Sequence, residues 1–329
     1  MKVFFGFLSL TAIAGNVLFA NTKSSTPPPK VEEGNPNAGF YFKATGAALL
    51  PSETGIGTFT DSWQYPTNGG IRSLSKPSKA DYKFAGGFLI GYDAASLPNF
   101  AEVEYFHLSN SKHNYNDTSD GPLSFGSVFF NVGIPLTPGT AFVSDAYLKY
   151  QLNQVEGRLG HRFSLAKNRL EISPSIGIRW ADLKHDLTFL VGNVRTSYWG
   201  VGPSFSIDGL YTLYKGLKLY SHFDAAVLIG NVEAHSLLNF FGMAKYESPN
   251  TNRVVPGLGS KLALRYDFTF YKKSSLRIEA GYQAAIYIGA FDVLTGLLET
   301  PPTQVQRIAS ITTNNFSFSG PYASIGFHM

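Results

Sequence analysis

Alternation of apolar and polar residues with a period of two runs through the chain from residue 39 onward. Successive side chains of a β-strand point to opposite faces of a sheet, so this alternation predicts strands with one apolar and one polar face. It is clearest where Leu264, Tyr266 and Phe268 alternate with Arg265 and Asp267. About ten strands are predicted on this basis. They lie near residues 39–50, 80–92, 100–108, 145–163, 169–183, 196–212, 217–230, 257–270, 275–289 and 315–329.

The connections between these strands alternate in length. The long ones are 51–79, 109–144, 184–195, 231–256 and 290–314, and the short ones are 93–99, 164–168, 213–216 and 271–274. Short periplasmic turns and long external loops are typical of transmembrane β-barrels, whereas a soluble sandwich shows no such alternation. The sequence therefore predicts an all-β fold over residues 39–329. It is a transmembrane antiparallel up-and-down β-barrel of about ten strands, with about 8 to 16 as the alternatives.

The first 20 residues have the pattern of an export signal. Lys2 supplies a short positive region, residues 3–14 are mostly apolar, and Ala20 is a plausible cleavage point. An uncleaved anchor is the alternative, but the apolar run is short for a spanning helix. Residues 21–38 contain several prolines and little to bury, which predicts a flexible periplasmic leader.

Composition excludes several other classes of protein. No stretch after the signal approaches the ~20 consecutive apolar residues of a membrane helix, which excludes a helical membrane protein. The formal charge is +4, or +3 once Lys2 is removed, which is too mild to indicate a nucleic-acid partner. The chain has no cysteine, so disulfides and thiolate zinc sites are excluded. We expect an outer-membrane location, with outer-membrane lipid as a partner.

Aromatic residues lie at both ends of the predicted strands, as they do at the two interfaces of a membrane. Tyr82 and Tyr92 are ten steps apart on one strand. At about 3.3 Å per residue and a tilt near 40°, such a strand spans roughly 25 Å of membrane height. The predicted girdles are Tyr82, Tyr105, Trp180 and Trp199 on the external side, and Tyr92, Phe163, Tyr211, Phe270 and Phe327 on the periplasmic side.

Charged side chains fall on the opposite face of the strands from the apolar residues. A charge facing lipid at mid-membrane costs about 2 to 4 kcal/mol, so we expect these residues to face the lumen. The predicted lumen network is Arg158, Arg162, Glu171, Arg179, Asp208, Lys218, Asp224, Lys261, Arg265, Asp267, Arg277 and Glu279. It forms either a charged conduit or an ion-pair core. The core is favoured, because side chains nearly fill a barrel of about ten strands.

Specific pairings are expected within this network. Arg265, Asp267, Arg277 and Glu279 share the polar face of one hairpin, where opposite charges on facing strands attract, so they are predicted to form a paired network that narrows the pore. His222 and Asp224 share a face and could in principle activate a water. Their position in mid-strand favours a salt bridge of Asp224 with Arg265 or Lys261 instead. We expect no enzyme, and no catalytic, cofactor or metal site is predicted.

Three segments resemble strands of the Legionella-type major outer-membrane proteins. They are residues 173–183 (SPSIGIRWADL), 198–209 (YWGVGPSFSIDG) and 261–268 (KLALRYDF), and their order and spacing also match. The resemblance covers most of the chain and implies a porin-like barrel with a role in attachment to host cells. The absence of cysteine departs from family members described as disulfide-linked, so covalent crosslinks to neighbours are excluded here.

Two functions of different class follow from the sequence. The first is a porin-like narrow or partly plugged channel for small hydrophilic solutes. The alternative is a surface structural or adhesion protein whose long external loops contact host-surface or neighbouring envelope molecules. Apolar loop residues such as Trp63, Phe129 and Phe240 fit a plug folded inward as well as contact with an external partner.

Overall fold

The structure is a computed structural model. It describes residues 38–53, 63–67, 70–74, 82–94, 99–109, 113–120, 124–126, 130–133, 141–166, 169–189, 192–239, 243–247, 250–271, 274–299 and 306–329. The predicted export signal at 1–20, and the predicted leader up to residue 37, lie outside the described residues.

Ten long strands form one closed antiparallel sheet. They are β1 (Gly39–Glu53), β2 (Lys83–Asp93), β3 (Asn99–Ser109), β4 (Ala141–His161), β5 (Leu170–Phe189), β6 (Gly192–Tyr214), β7 (Leu217–Asn239), β8 (Thr251–Tyr271), β9 (Ser274–Glu299) and β10 (Gln306–His328). Each strand pairs with the next along the chain, and β10 pairs with β1 to close the barrel. The predicted up-and-down barrel of ten strands is confirmed.

Several shorter strands accompany these ten. Trp63–Thr67 and Gly70–Leu74 pair with each other in a separate sheet. His113–Asp120 pairs with β4, Phe163–Leu165 with β5 and Met243–Glu247 with β7, and Ser124–Gly126 pairs with Phe130–Gly133, which also pairs with β9. No helix in the described ranges is long and apolar enough to cross a membrane.

The barrel wall extends farther on the external side than the sequence predicts. β5 and β6 stay paired until Phe189 meets Gly192, so the predicted loop at 184–195 is wrong. β9 and β10 stay paired until Glu299 meets Gln306. The loops predicted at 231–256 and 290–314 are therefore wrong over the residues that belong to β7, β8, β9 and β10.

The alternation of polar and apolar side chains reverses its phase at one level of the wall, as β5 shows. Below this level Ile178 points outward and is exposed, while Arg179 points inward and is buried. Above it Leu183 points inward and is fully buried, while Lys184 points outward and is exposed. A face that is apolar below and polar above meets two different solvents, first lipid and then water.

The same reversal on neighbouring strands marks the external edge of the lipid. On β7, Ile229 is an exposed outward residue, and the next two outward residues are the polar Asn231 and Glu233. The inward Leu228 and Val232 are buried on either side of this edge. All residues of the two predicted girdles point outward, and Tyr105 is the half-buried one among them. The upper part of the barrel is therefore a water-exposed wall around an apolar interior.

This boundary predicts that two outward positions of the same strand differ in how well they tolerate a charged side chain. Phe223 and Asn231 both point outward on β7, but Phe223 lies inside the apolar band. We expect Phe223→Arg to destabilise the folded barrel by about 2 to 4 kcal/mol, and Asn231→Arg by about 0 to 1 kcal/mol, because only the first charge faces lipid. Urea unfolding in lipid vesicles measures both. Equal losses for the two variants would contradict the boundary.

Candidate functional site

The lumen is crossed by ion pairs between opposite walls. Lys261 on β8 donates its Nζ hydrogen to Glu104 Oε1 on β3 at 3.3 Å. These strands lie five positions apart in a ring of ten, so the pair spans the barrel. Arg158 on β4 lies beside this pair, with Nη2 at 2.6 Å from Glu102 Oε2 and 3.5 Å from Glu104 Oε2. The network therefore fills the lumen from wall to wall.

A second group of charges surrounds Arg179 on β5. Its Nη2 lies 2.7 Å from Glu156 Oε2 and 2.7 Å from Asp224 Oδ2. His222 lies between two carboxylates, with Nε2 at 3.2 Å from Asp224 Oδ1 and Nδ1 at 2.8 Å from Asp208 Oδ1. The partners of Asp224 are thus Arg179 and His222, and the predicted pairing with Arg265 or Lys261 is wrong. The long Arg179 side chain on β5 reaches past β6 to Asp224 on β7, and strand parity does not encode this reach.

The predicted four-residue network of the β8–β9 hairpin forms in part. Asp267 Oδ1 lies 2.9 Å from Arg265 Nε and 3.5 Å from Arg277 Nε, and Asp267 Oδ2 lies 2.7 Å from Lys218 Nζ. Glu279 does not join them, although it lies directly across from Arg265. Its Oε1 accepts a hydrogen bond from the Tyr322 hydroxyl at 2.7 Å instead.

All of the predicted lumen residues lie on the inward face, at the parity that the alternation gives them. The remaining pair is at the periplasmic end, where Arg162 lies 3.5 Å from Glu171 and 2.6 Å from Asp93. Their role in a pore stays a prediction.

An apolar layer, which the sequence analysis missed, fills the lumen above the charges. Its members are fully or almost fully buried, and include Leu49, Leu108, Leu152, Leu183, Leu228, Phe106, Tyr287, Phe291, Phe316 and Phe318. Tyr287 and Phe291 flank a bulge in β9, at which Gly289 has a φ of 70°, and both rings lie in the interior. The available signal was the inward face of each strand, which becomes apolar beyond the external girdle.

A buried acid and imidazole pair lies within this layer, on the water side of the lipid boundary. Glu53 Oε2 lies 3.5 Å from His185 Nδ1, and both side chains are fully enclosed. Asn314 donates to Glu53 Oε1 at 3.0 Å, and Tyr150 stacks on His185 with ring centroids 5.2 Å apart. Burial raises the pKa of Glu53 to about 8 and lowers the pKa of His185 to about 4. Both groups are therefore uncharged at neutral pH.

The pair predicts a specific pH dependence of stability. Unfolded Glu53 ionises near its ordinary pKa, while the folded protein keeps the proton until about pH 8. Stability should therefore fall as pH rises between these values. At alkaline pH we expect Glu53→Gln to unfold at a higher temperature than wild type, with a free energy of unfolding larger by on the order of a few kcal/mol. In acid we expect the variant and wild type to unfold at the same temperature.

Thermal unfolding followed by circular dichroism across this pH range measures the effect. Glu233→Gln is the matched control, since Glu233 points outward into water and receives a hydrogen bond from Asn250 at 3.1 Å. A constant difference between Glu53→Gln and wild type at every pH would show that Glu53 does not titrate in this way.

Two small cavities remain in the polar part of the lumen. One of about 50 Å³ is lined by residues that include Glu104, His222 and Asp224. The other, of about 70 Å³ towards the periplasmic end, is lined by residues that include Arg158 and Arg277. Each has room for about one or two waters. Within the described ranges, no group of three or more His, Asp or Glu side chains could hold a metal ion.

Comparison with known proteins identifies the family. The family described as Legionella pneumophila major outer membrane protein precursor matches residues 46–329. The chain belongs to this family. The resemblance noted in the sequence is thereby confirmed, and the protein is an outer-membrane β-barrel. No curated protein matches it significantly.

Several solved structures are similar to this one at low sequence identity. The outer membrane protease OmpT from Escherichia coli shares 9% identity over 91% of this chain and 99% of its own, with a TM-score of 0.49. The Pseudomonas putida toluene transporter TodX shares 10% identity over 88% of this chain and 90% of its own, with a TM-score of 0.35. A Pseudomonas aeruginosa FadL homologue shares 6% over 88% and 89%, with a TM-score of 0.22.

Proposed function

We propose that this member of the family is a surface structural protein, closed in its resting form, whose external parts contact host-surface or neighbouring envelope molecules. The filled lumen is the observation that carries the proposal. Lys261 and Glu104 join opposite walls at 3.3 Å, and above them the inward side chains of Leu152, Leu183 and Leu228 have no exposed surface.

Passage through such an interior requires hydrated solutes to lose water. The apolar layer offers no hydrogen bonds to replace it, and burying a polar group without a partner costs roughly 2 to 7 kcal/mol. The charged side chains below it already have partners of opposite sign, as Arg179 has in Glu156 and Asp224. A resting state that blocks hydrophilic solutes follows from both layers.

The wall above the lipid supports the proposed contact with external molecules. Lys184, Arg195 and Glu233 point outward there, and Arg195 is 64% exposed. At this external end, the connection 54–82 joins β1 to β2 and the connection 110–140 joins β3 to β4. A raised platform with long connections suits contact with large external molecules.

The proposal assigns no reaction to His222 and Asp224. The His222 side chain is 4% exposed, and both of its ring nitrogens contact carboxylates. Neither ring nitrogen is left free to contact a substrate. The pair therefore serves as part of the lumen network.

A narrow passage for small hydrophilic solutes is the second candidate function. The two cavities in the polar part of the lumen favour it, because they already provide room for water beside charged groups. Opening then requires displacement of the apolar layer and separation of ion pairs across the lumen, such as Lys261–Glu104.

Planar-bilayer conductance separates the two candidates. We expect wild type to conduct far less than a general diffusion porin in the same bilayer. The double variant Leu183→Ala, Phe316→Ala should conduct more, because it removes bulk from the layer that excludes ions. Ile178→Ala, on the lipid face of β5, is the control and should leave conductance unchanged. Porin-sized steps in wild type would refute the closed barrel.

Binding of barrel-loaded vesicles to host cells tests the contact function. We expect replacement of residues 121–140 by a short turn to reduce binding, because it removes an external connection and keeps the short strand His113–Asp120 on β4. A variant with an altered periplasmic connection at 94–98 is the control. Retained heat-dependent gel mobility shows that both remain folded. The contact function fails if wild-type vesicles bind no better than protein-free ones.

A further inference from the structure

Two titratable side chains interrupt the apolar layer that fills the upper lumen. Glu53 on β1 and His185 on β5 lie 3.5 Å apart, and these strands are four positions apart in the ring of ten, so the pair bridges the lumen. The His185 ring packs on Phe291 of β9 with centroids 5.7 Å apart, and the backbone of Glu53 pairs with that of Phe316 on β10. The pair therefore lies within the apolar layer and apart from the ion pairs below it.

Several polar atoms of this pair are buried without a hydrogen bond. They are Glu53 Oε2 and both ring nitrogens of His185, since the 3.5 Å contact between the two residues is not a hydrogen bond. Asn314 donates to Glu53 Oε1, and Tyr150 also hydrogen-bonds with Glu53. A buried polar atom without a partner destabilises the state that buries it. The closed layer thus carries a cost that entry of water would relieve.

The charged and titratable groups around the pair offer Glu53 no counter-charge. They are Lys83 on β2, Tyr150 on β4, Asp186 on β5, Arg253 on β8 and Asp292 on β9. Arg253 Nη2 donates to Asp292 Oδ2 at 2.9 Å, and Asp186 points outward and pairs with Arg195 at 2.9 Å. Burial raises the pKa of Tyr150 well above 10.0, so this group is uncharged. Lys83 lies opposite Leu49, four residues below Glu53. No lysine or arginine in the described part of the chain forms an ion pair with Glu53.

The protonation of the pair therefore depends on whether the layer is dry. Burial raises the pKa of Glu53 from 4.5 to about 8 and lowers the pKa of His185 from 6.5 to about 4. Water in the layer would return both pKa values towards their ordinary ones. Above about pH 6.5 the imidazole is neutral in either state, and only the dry state still holds the Glu53 proton, up to about pH 8. A rise in pH over this range therefore favours the wet state.

We propose that Glu53 and His185 form a proton-operated gate, in which the uncharged pair keeps the apolar layer dry and release of the Glu53 proton to solvent admits water from the external side. This inference rests on the closed resting form proposed above. A carboxylate without a counter-charge is far less stable in an apolar layer than in water, so its formation draws water in. Ion pairs below the layer, such as Lys261–Glu104, stay in place, and the gate controls how far water reaches towards them.

A single cysteine in the apolar layer reports entry of water, because the natural chain has none. Leu152→Cys places a thiol on β4, at a fully buried position two residues from Tyr150. The full barrel in lipid vesicles is treated with a permanently charged methanethiosulfonate reagent at a series of pH values. The same cysteine in a Glu53→Gln background is the reference, because the ratio of the two labelling rates cancels the ionisation of the thiol itself.

We expect this ratio to rise by about tenfold per pH unit between about pH 6.5 and 8, and to level off above, because one proton separates the dry and wet states. Glu233→Gln is the matched control, and combined with Leu152→Cys it should label as Leu152→Cys does alone. Heat-dependent gel mobility at each pH shows that the barrel remains folded. If Leu152→Cys does not fold, Leu228→Cys on β7 replaces it, since that side chain also has no exposed surface.

The gate is overturned if the ratio stays constant up to about pH 9. It is equally overturned if Glu233→Gln slows labelling as much as Glu53→Gln does. Failure of the closed resting form gives a different result, namely labelling of Leu152→Cys at about pH 6.5 as fast as that of Lys184→Cys, which lies on the water-exposed outer wall.

Discussion

The structure depends on the contact of one continuous wall with two solvents. Lipid covers the lower outer face and water covers the upper one, and the pleat of each strand sends alternate side chains to opposite faces. Ile178 and Arg179 satisfy this condition in lipid, and Leu183 and Lys184 satisfy it in water. The interior is therefore polar where the exterior is apolar, and apolar where the exterior is polar.

This inversion gives the two halves of the interior different stabilising forces. In the lower half, ion pairs such as Arg179–Glu156 keep buried charges satisfied, and their net contribution to stability is small compared with the cost of removing one partner. In the upper half, side chains such as Leu228 and Phe316 are stabilised by burial, at about 25 cal/mol per Å² of apolar surface. The ion pairs of the lower half determine which residues contact one another, and the apolar side chains of the upper half exclude water.

The strands, their number and the inward charges could be predicted from the sequence, because parity along each strand carries that information. The external strand ends could not, because the phase reversal past Trp180 and Ile229 resembles a loss of pattern. The partner of Asp224 could not be predicted from the sequence either. Arg179 and Asp224 lie on β5 and β7, and their contact depends on barrel diameter and strand stagger, which no local pattern contains.

The β9 bulge has a consequence for the order of folding. It places the backbone of Asp292 where its carbonyl oxygen accepts a hydrogen bond from Thr196 on β6 at 2.7 Å, a contact between residues 96 positions apart. A contact between residues so distant in sequence carries a loop-closure cost before it forms. The hydrogen bond from Thr196 to Asp292 therefore joins β6 to β9 only when both strands are part of the wall.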